Sequence, residues 1–364
     1  MLSEILNLLN SVKNMLLEKS SFGKVNGKAT TLYSVKDVKS GFEVAVSDFG
    51  ATLVRVKTPD KNGKVEDINF GQHNAEEFTT GGGYLGAVVG RVGNRIKNAN
   101  FTLEGKTYSL YVNNANLHSL HGGKEGFNFK IWNCKKSEVN SKGDIAEIEF
   151  DYVSKDGEEG YPGTLNVTVT YIIKPMELAW TFKATTNKTT IINLTNHAYW
   201  NLEGLEPLID NQELRLLTSR YMEGDENNMV TGEEKACAGK ADWHNFTSFS
   251  KIFKEFGDVD NNFFIEGVDK KKDPKEVILC AEVYSPKSGR LMKVETSEPC
   301  VQIYTGNYMM NVKSFGKQCK KHQAVCLETQ RPPNAINIPK YSSMVILKPN
   351  ETYFHKTVHK FSIN

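Results

Sequence analysis

The most constraining feature of this chain is a two-residue hydrophobic alternation that recurs along most of its length. Ile148, Phe150 and Tyr152 alternate with Glu149 and Asp151. Leu165, Val167, Val169 and Tyr171 alternate with Asn166, Thr168 and Thr170, and Leu178, Trp180 and Phe182 with Ala179 and Thr181. Phe42, Val44 and Val46 begin the same pattern earlier. Successive strand side chains point to opposite faces, so these runs are half-buried antiparallel strands. Similar runs at 276–284, 291–295, 301–304, 324–328 and 343–347 bring the number of expected strands well above a dozen. Asn62-Gly63 and Tyr161-Pro162-Gly163 supply turns between runs, and the charged stretch 269–275 is expected at a solvated hairpin tip. No long helical pattern follows Ser20, so a large sandwich or barrel is expected rather than βαβ units.

Residues 1–20 differ. Leu2, Ile5, Leu6, Leu9, Val12 and Leu16 recur at helical spacing, which predicts a short amphipathic N-terminal helix over residues 1–21 and one β domain over 22–364. Glu4, Asn7, Asn10 and Lys13 interrupt any signal-peptide core, and no apolar run reaches the ~18 residues of a membrane span. The six cysteines are scattered without a Cys-x-x-Cys pair and are expected as free thiols, so the cytoplasm is the expected compartment. With 45 basic against 43 acidic side chains, the chain lacks the basic excess of a nucleic-acid binder. Neither nucleic acid nor membrane is an expected partner, and the oligomeric state is left open.

Two motif matches carry little. Gly81-Gly82-Gly83-Tyr84-Leu85-Gly86 fits Gly-x-Gly-x-x-Gly, but a dinucleotide site needs a strand before it and a helix after it within a βαβ unit. His118 and His121 have ligand-like spacing, but nothing near them in sequence supplies a third metal ligand, so no metal is expected. His355 and His359 fall on one face of a terminal strand and are expected to be packed or solvated.

Three segments are harder to explain by folding alone. They are Gly90-Arg91-Val92-Gly93-Asn94-Arg95 leading to Leu120-His121-Gly122-Gly123, then Asn193-Leu194-Thr195-Asn196-His197-Ala198-Tyr199-Trp200, then Val325-Cys326-Leu327-Glu328-Thr329-Gln330. Glu328 interrupts an apolar strand, where desolvation makes a carboxylate pKa tunable. His197 supplies a second proton-transfer group between amides and aromatic rings. One acid and one base in distinct environments form a proton-transfer pair, and the rings and amides suit a sugar. Each residue taken alone is equally consistent with a satisfied structural role.

In this order the segments resemble the galactose mutarotase (aldose 1-epimerase) family from about Gly23 to the C-terminus. The resemblance rests also on Phe49-Gly50-Ala51-Thr52-Leu53, Pro59-Asp60-Lys61-Asn62-Gly63 and Tyr304-Thr305-Gly306-Asn307. Any one is weak, and the ordered set is specific. It implies an all-β fold, a large antiparallel β-sandwich (supersandwich), and interconversion of the α and β anomers of free hexoses such as galactose and glucose. It implies Glu328 as catalytic base and His197 as catalytic acid, with Asn94, Arg95, His121, Asp260 and Gln302 binding the sugar. No cofactor is implied, since both anomers have one oxidation state. The chain departs from the family pattern at Asn261, where His is common, at Asn334, where Asp is usual, and at Asn350, where Gly is frequent. Asn tolerates left-handed turns, so the last change is expected to be mild. A hexose-6-phosphate 1-epimerase and a non-catalytic sugar-binding protein remain alternatives on the same fold.

Overall fold

The computed structural model describes residues 14–364. Three antiparallel sheets of nine, six and five strands carry the architecture, so the alternating segments do form the expected β-sandwich. The nine-stranded sheet runs Asn133–Val139, Ala146–Ser154, Leu165–Lys174, Glu177–Thr186, Tyr353–Ile363, Arg290–Thr296, Ile278–Tyr284, Glu213–Leu216 and Thr247–Ser248. The six-stranded sheet runs Tyr199–Trp200, Val325–Gln330, Cys300–Tyr304, Asp260–Ile265, Thr218–Gly224 and Val230–Ala236. Ile148, Phe150, Val169, Trp180, Phe182 and Val294 from the first pack with Phe263, Val301, Ile303, Val325 and Leu327 from the second in one core. Val35, Val44, Val46, Leu53 and Val56 of the five-stranded sheet extend the same core. Among the described residues no helix is long and apolar enough to cross a membrane.

Three expectations are corrected. The helix predicted over residues 1–21 lies outside the described residues as far as position 13, and Met15–Val25 is a strand. That strand pairs with Lys28–Asp37 across Asn26-Gly27, both at positive φ, and buries Met15 in the core. Leu16, on the apolar helical stripe, is 48% exposed. Cross-strand pairing has overridden a helix-like spacing, and from Met15 onward there is no helical extension separate from the β domain. The run 343–347 is mostly a short helix, Ser342–Val345, and only Ile346–Leu347 finds a strand partner, Thr190–Ile191. The charged stretch 269–275 joins Asp260–Ile265 to Ile278–Tyr284, which belong to different sheets, so it is a crossover and not a hairpin.

His355 and His359 both point into the protein from Tyr353–Ile363 and are fully buried. His355 donates through Nδ1 to the Leu194 carbonyl, and its Nε2 meets the Thr329 hydroxyl at 3.0 Å. The His359 ring lies against Trp180 and Trp200, and neither ring nitrogen has a partner. Burial pushes both pKa values down to about 3, so both are neutral in the folded protein. The unfolded chain takes up these protons as pH falls below about 6.5, so stability is lost from there downward. Between pH 7 and pH 5 each histidine is expected to cost about 2 kcal/mol. His359→Leu keeps the volume and removes one titration. Urea unfolding at the two pH values should show a pH loss smaller by about that amount in the variant. An identical loss in both proteins would refute the assignment.

Candidate active site

The floor of the site follows from the pleat of the six-stranded sheet. Directly opposed residues of antiparallel strands share a face. Tyr199 pairs with Cys326, Cys326 with Tyr304, and Tyr304 with Asp260, which makes one cross-strand row. Glu328, Gln302 and Asn262 make the next row. The intervening Val325, Leu327, Val301 and Ile303 face the core. Glu328 is therefore set on the face opposite the main core by a strand that is buried throughout.

Loops close over this floor. Arg95–Ile96 pairs with Ser119–Leu120, which brings Asn94 beside His121. The His121 backbone N–H donates to the Asn94 carbonyl, and the Asn94 backbone N–H donates to His121 Nδ1 at 3.2 Å. Gly122 must be glycine here, because a Cβ would lie 1.8 Å from the Gly90 carbonyl oxygen. Val88–Val89 pairs with Thr195–Asn196, and His197 is tied at both backbone groups to Ala87 and Gly86. The glycine run 81–83 carries no nucleotide motif in this setting. It ends the short helix Ala75–Thr80 and leads to Tyr84, whose ring lies 4.6 Å from that of His121 and 6.0 Å from that of His197.

These elements enclose a cavity of about 200 Å³, lined by Tyr84, Asn94, Arg95, Leu120, His121, His197, Tyr199, Asp260, Tyr304, Tyr308 and Glu328. Glu328 Oε1 lies 3.6 Å from His197 Nε2, and the buried Oε2 has no partner. Burial drives the Glu328 carboxyl well above the usual carboxylate range, the Asp260 charge adds to this, and Arg95 opposes it. Burial lowers His197 to about 4. It also lowers His121 well below its usual value, with His197 and Arg95 adding repulsion. Asp260 is raised by burial against the pull of Arg95, 3.6 Å away, and of Gln302, whose Nε2 donates to it at 2.8 Å. Arg95 Nε donates to Asn114.

Six of the seven residues predicted from sequence line this one cavity, and the seventh, Gln302, reaches it through Asp260. The tyrosines were missed. Tyr199 stands two residues from His197 and Tyr304 opens Tyr304-Thr305-Gly306-Asn307, which was the available signal for both; the pairing of Tyr304 with Cys326 is visible only in the structure. His118 is buried and accepts the Asn98 backbone N–H, a structural role. Arg91 is also structural: its guanidinium donates to Pro162, Gly163, Ser154, Lys155 and Thr190, away from the cavity. Asn261 points to the sheet face opposite Asp260 and binds the Met222 carbonyl. Asn334 and Asn350 both adopt left-handed backbone, and Asn334 braces the Arg95 segment through the Arg95 carbonyl and the Lys97 N–H.

The fold supplies the third potential ligand that sequence spacing did not, because His121, His197 and Glu328 place donor atoms within 4.8 Å of one another. The hydrogen bonding argues against a metal there. Nδ1 of His121 is taken by an N–H donor, so its neutral ring carries the proton on Nε2. His121 thus presents a hydrogen-bond donor, suited to a sugar oxygen.

A buried glutamate–histidine pair ringed by tyrosines, an arginine–aspartate pair and a second histidine, on one face of a β-supersandwich, is an arrangement of a definite class, and sequence comparison identifies it. The aldose 1-epimerase family model matches residues 32–360, and the chain belongs to that family of isomerases. It is 38% identical to the galactose mutarotase of Sus scrofa, covering 95% of this chain and 98% of that protein. It is 31% identical to the aldose 1-epimerase of Escherichia coli K12, covering 88% and 92%. Among solved structures, an aldose epimerase homologue from C. elegans superposes with a TM-score of 0.81 at 29% identity, covering 89% of this chain and 97% of that one.

Proposed function

We propose that this protein interconverts the α and β anomers of a free aldohexose such as galactose or glucose, with Glu328 and His197 as the proton-transfer pair. The observation that carries the proposal is the buried 3.6 Å approach of Glu328 Oε1 to His197 Nε2 inside a small polar cavity. The galactose mutarotases similar to this chain support the substrate class.

In the proposed reaction Glu328 carboxylate takes the proton of the C1 hydroxyl while His197 imidazolium donates from Nε2 to the ring oxygen. The C1–O5 bond breaks, the open-chain aldehyde turns about C1–C2, and closure onto the other face reverses both transfers. Ring opening converts a charged pair into a neutral one. Burial disfavours both charges, so desolvation favours the proton transfers that form the open chain. Arg95 and His121 donate to the ring oxygen and neighbouring hydroxyls, and Asp260, held by Gln302, accepts from others. The six cysteines, all free thiols, support a cytoplasmic setting, which cell fractionation checks.

Polarimetry of freshly dissolved α-galactose tests the activity. The protein should speed the approach to anomeric equilibrium. Sugar binding without acceleration would favour the non-catalytic alternative. A phosphorylated substrate fits less well. Among the described residues Arg95 is the one Lys or Arg lining the cavity, and it is already beside Asp260, while Arg91 is used in the fold. A dianionic phosphate normally calls for more cationic donors. Galactose 6-phosphate should therefore show kcat/KM at least about tenfold below galactose, a difference of about 1.4 kcal/mol in transition-state binding. The reverse preference would make this a hexose-6-phosphate epimerase.

A further inference from the structure

The imidazole of His197 is held on two sides by alternate residues of one strand. Its Nε2 faces Glu328, and its Nδ1 lies 3.6 Å from the sulfur of Cys326. Cys326 and Glu328 are two residues apart in Val325–Gln330 and so share a face, which places the two contacts on opposite nitrogens. Cys326 is fully buried. Catalytic and metal-bound histidines usually place a carboxylate or carbonyl oxygen at the second nitrogen. Here the second partner is a thiol.

Stacking alone leaves the orientation of this ring undecided. Tyr84 and Tyr199 flank it at centroid distances of 6.0 and 4.9 Å, within 22° and 21° of parallel. A half-turn about the Cβ–Cγ bond keeps the ring in that plane. It would replace Nδ1 by a carbon at Cys326 and Nε2 by a carbon at Glu328. Partners specific to Nδ1 and to Nε2 distinguish the two poses, and of these Cys326 is the one that takes no part in the proton exchange.

We propose that Cys326 is the positioning residue of the proton pair: its sulfur accepts the Nδ1–H of His197 in every protonation state, so the exchanged proton is confined to Nε2. When Glu328 is protonated, its O–H donates to Nε2 and Nδ1–H points to sulfur. When the proton has moved to His197, Nε2–H faces Glu328 or the ring oxygen and Nδ1–H is unchanged. Two properties of sulfur suit this role. Burial and the charges of Glu328 and Asp260 raise the thiol well above its usual range, so it remains neutral. Sulfur is also a weak acceptor, which stabilises imidazolium less than a carboxylate would and leaves His197 a stronger acid. The other titratable groups facing His197 are His121, Tyr84, Tyr199 and Tyr304, with Asp260 and Arg95 further along the cavity.

The inference rests on the proposed Glu328–His197 chemistry, and Cys326→Ala and Cys326→Ser test it beside Glu328→Gln. Cys326→Ala should lower kcat about tenfold with KM changed less than about twofold, because ring orientation and not sugar binding is lost. Cys326→Ser should retain most of kcat. Its hydroxyl oxygen accepts more strongly, so the acid limb of the pH profile should move to higher pH. The ¹⁵N imidazole shifts of His197 should report the Nδ1–H tautomer in the unaltered protein and a mixture in Cys326→Ala. An Nε2–H tautomer in the unaltered protein, or an alanine variant unchanged in kcat and pH profile, would overturn the proposal. Full activity in Glu328→Gln would instead sink the proton-pair assignment, and the tautomer measurement would still judge Cys326.

Discussion

Glu328→Gln should reduce anomer exchange by about 10²–10⁴-fold while galactose still binds within a few-fold of the unaltered protein. The amide has nearly the size of the carboxylate, so the fold and the cavity should persist. Gln cannot take the C1 hydroxyl proton. Its amide also places a donor or a non-basic oxygen where Oε1 now faces His197. The buried Oε2, which has no partner in the structure, means the substitution breaks no existing hydrogen bond at that atom. The loss should therefore appear in kcat, with thermal stability unchanged or improved, since a desolvated ionisable group has been removed. Polarimetry and sugar titration on the same sample give both numbers. A variant turning over at near-normal rate would remove Glu328 from the chemistry.

His197→Asn is expected to cost about 10²–10⁴-fold and, more tellingly, to change the shape of the pH profile. The intact pair works with one proton shared between two groups, so its limits belong to the pair. On the acid side a second proton adds to His197 at about pH 4, leaving no base. On the alkaline side the last proton leaves only well above the ordinary carboxylate range, because burial and Asp260 hold it on Glu328. A broad plateau across neutral pH follows. In His197→Asn the plateau should vanish. Residual activity should climb with pH through the raised Glu328 pKa, since only the deprotonated carboxylate can then act. Profiles of equal shape in the two proteins would show that another group supplies the acid, and the neighbouring His121 would be the first to test.

How much of this was legible in the sequence depends on the range of the interaction involved. Period-two alternation located most strands because facing is a local property. The same locality failed at 15–20, where a helix-like spacing lost to pairing with Lys28–Asp37, and at 343–345, where local turns won over a strand. Glu328 and His197 stood out because an ionisable group in an apolar, aromatic context is visible one segment at a time. Tyr84 was hidden in a glycine run whose meaning comes from where its loop lands, against His121 and His197. Cys326 looked like one of six unremarkable thiols until register placed it at Nδ1 of His197.

The sequence by itself determined the alternating strands, the charge balance that suits an uncharged ligand, and the ordered motifs that mark the family. Tertiary structure decided which sheet face Glu328 occupies, which nitrogen of His197 it meets, and whether an arginine serves the cavity or the fold. Arg91 and Arg95 are four residues apart in one motif, yet one donates to buried carbonyls and the other lies beside Asp260. Such choices turn on distances of a few ångströms between residues as far apart as Arg95 and Asp260. They are set by strand register and loop closure, which no local pattern encodes.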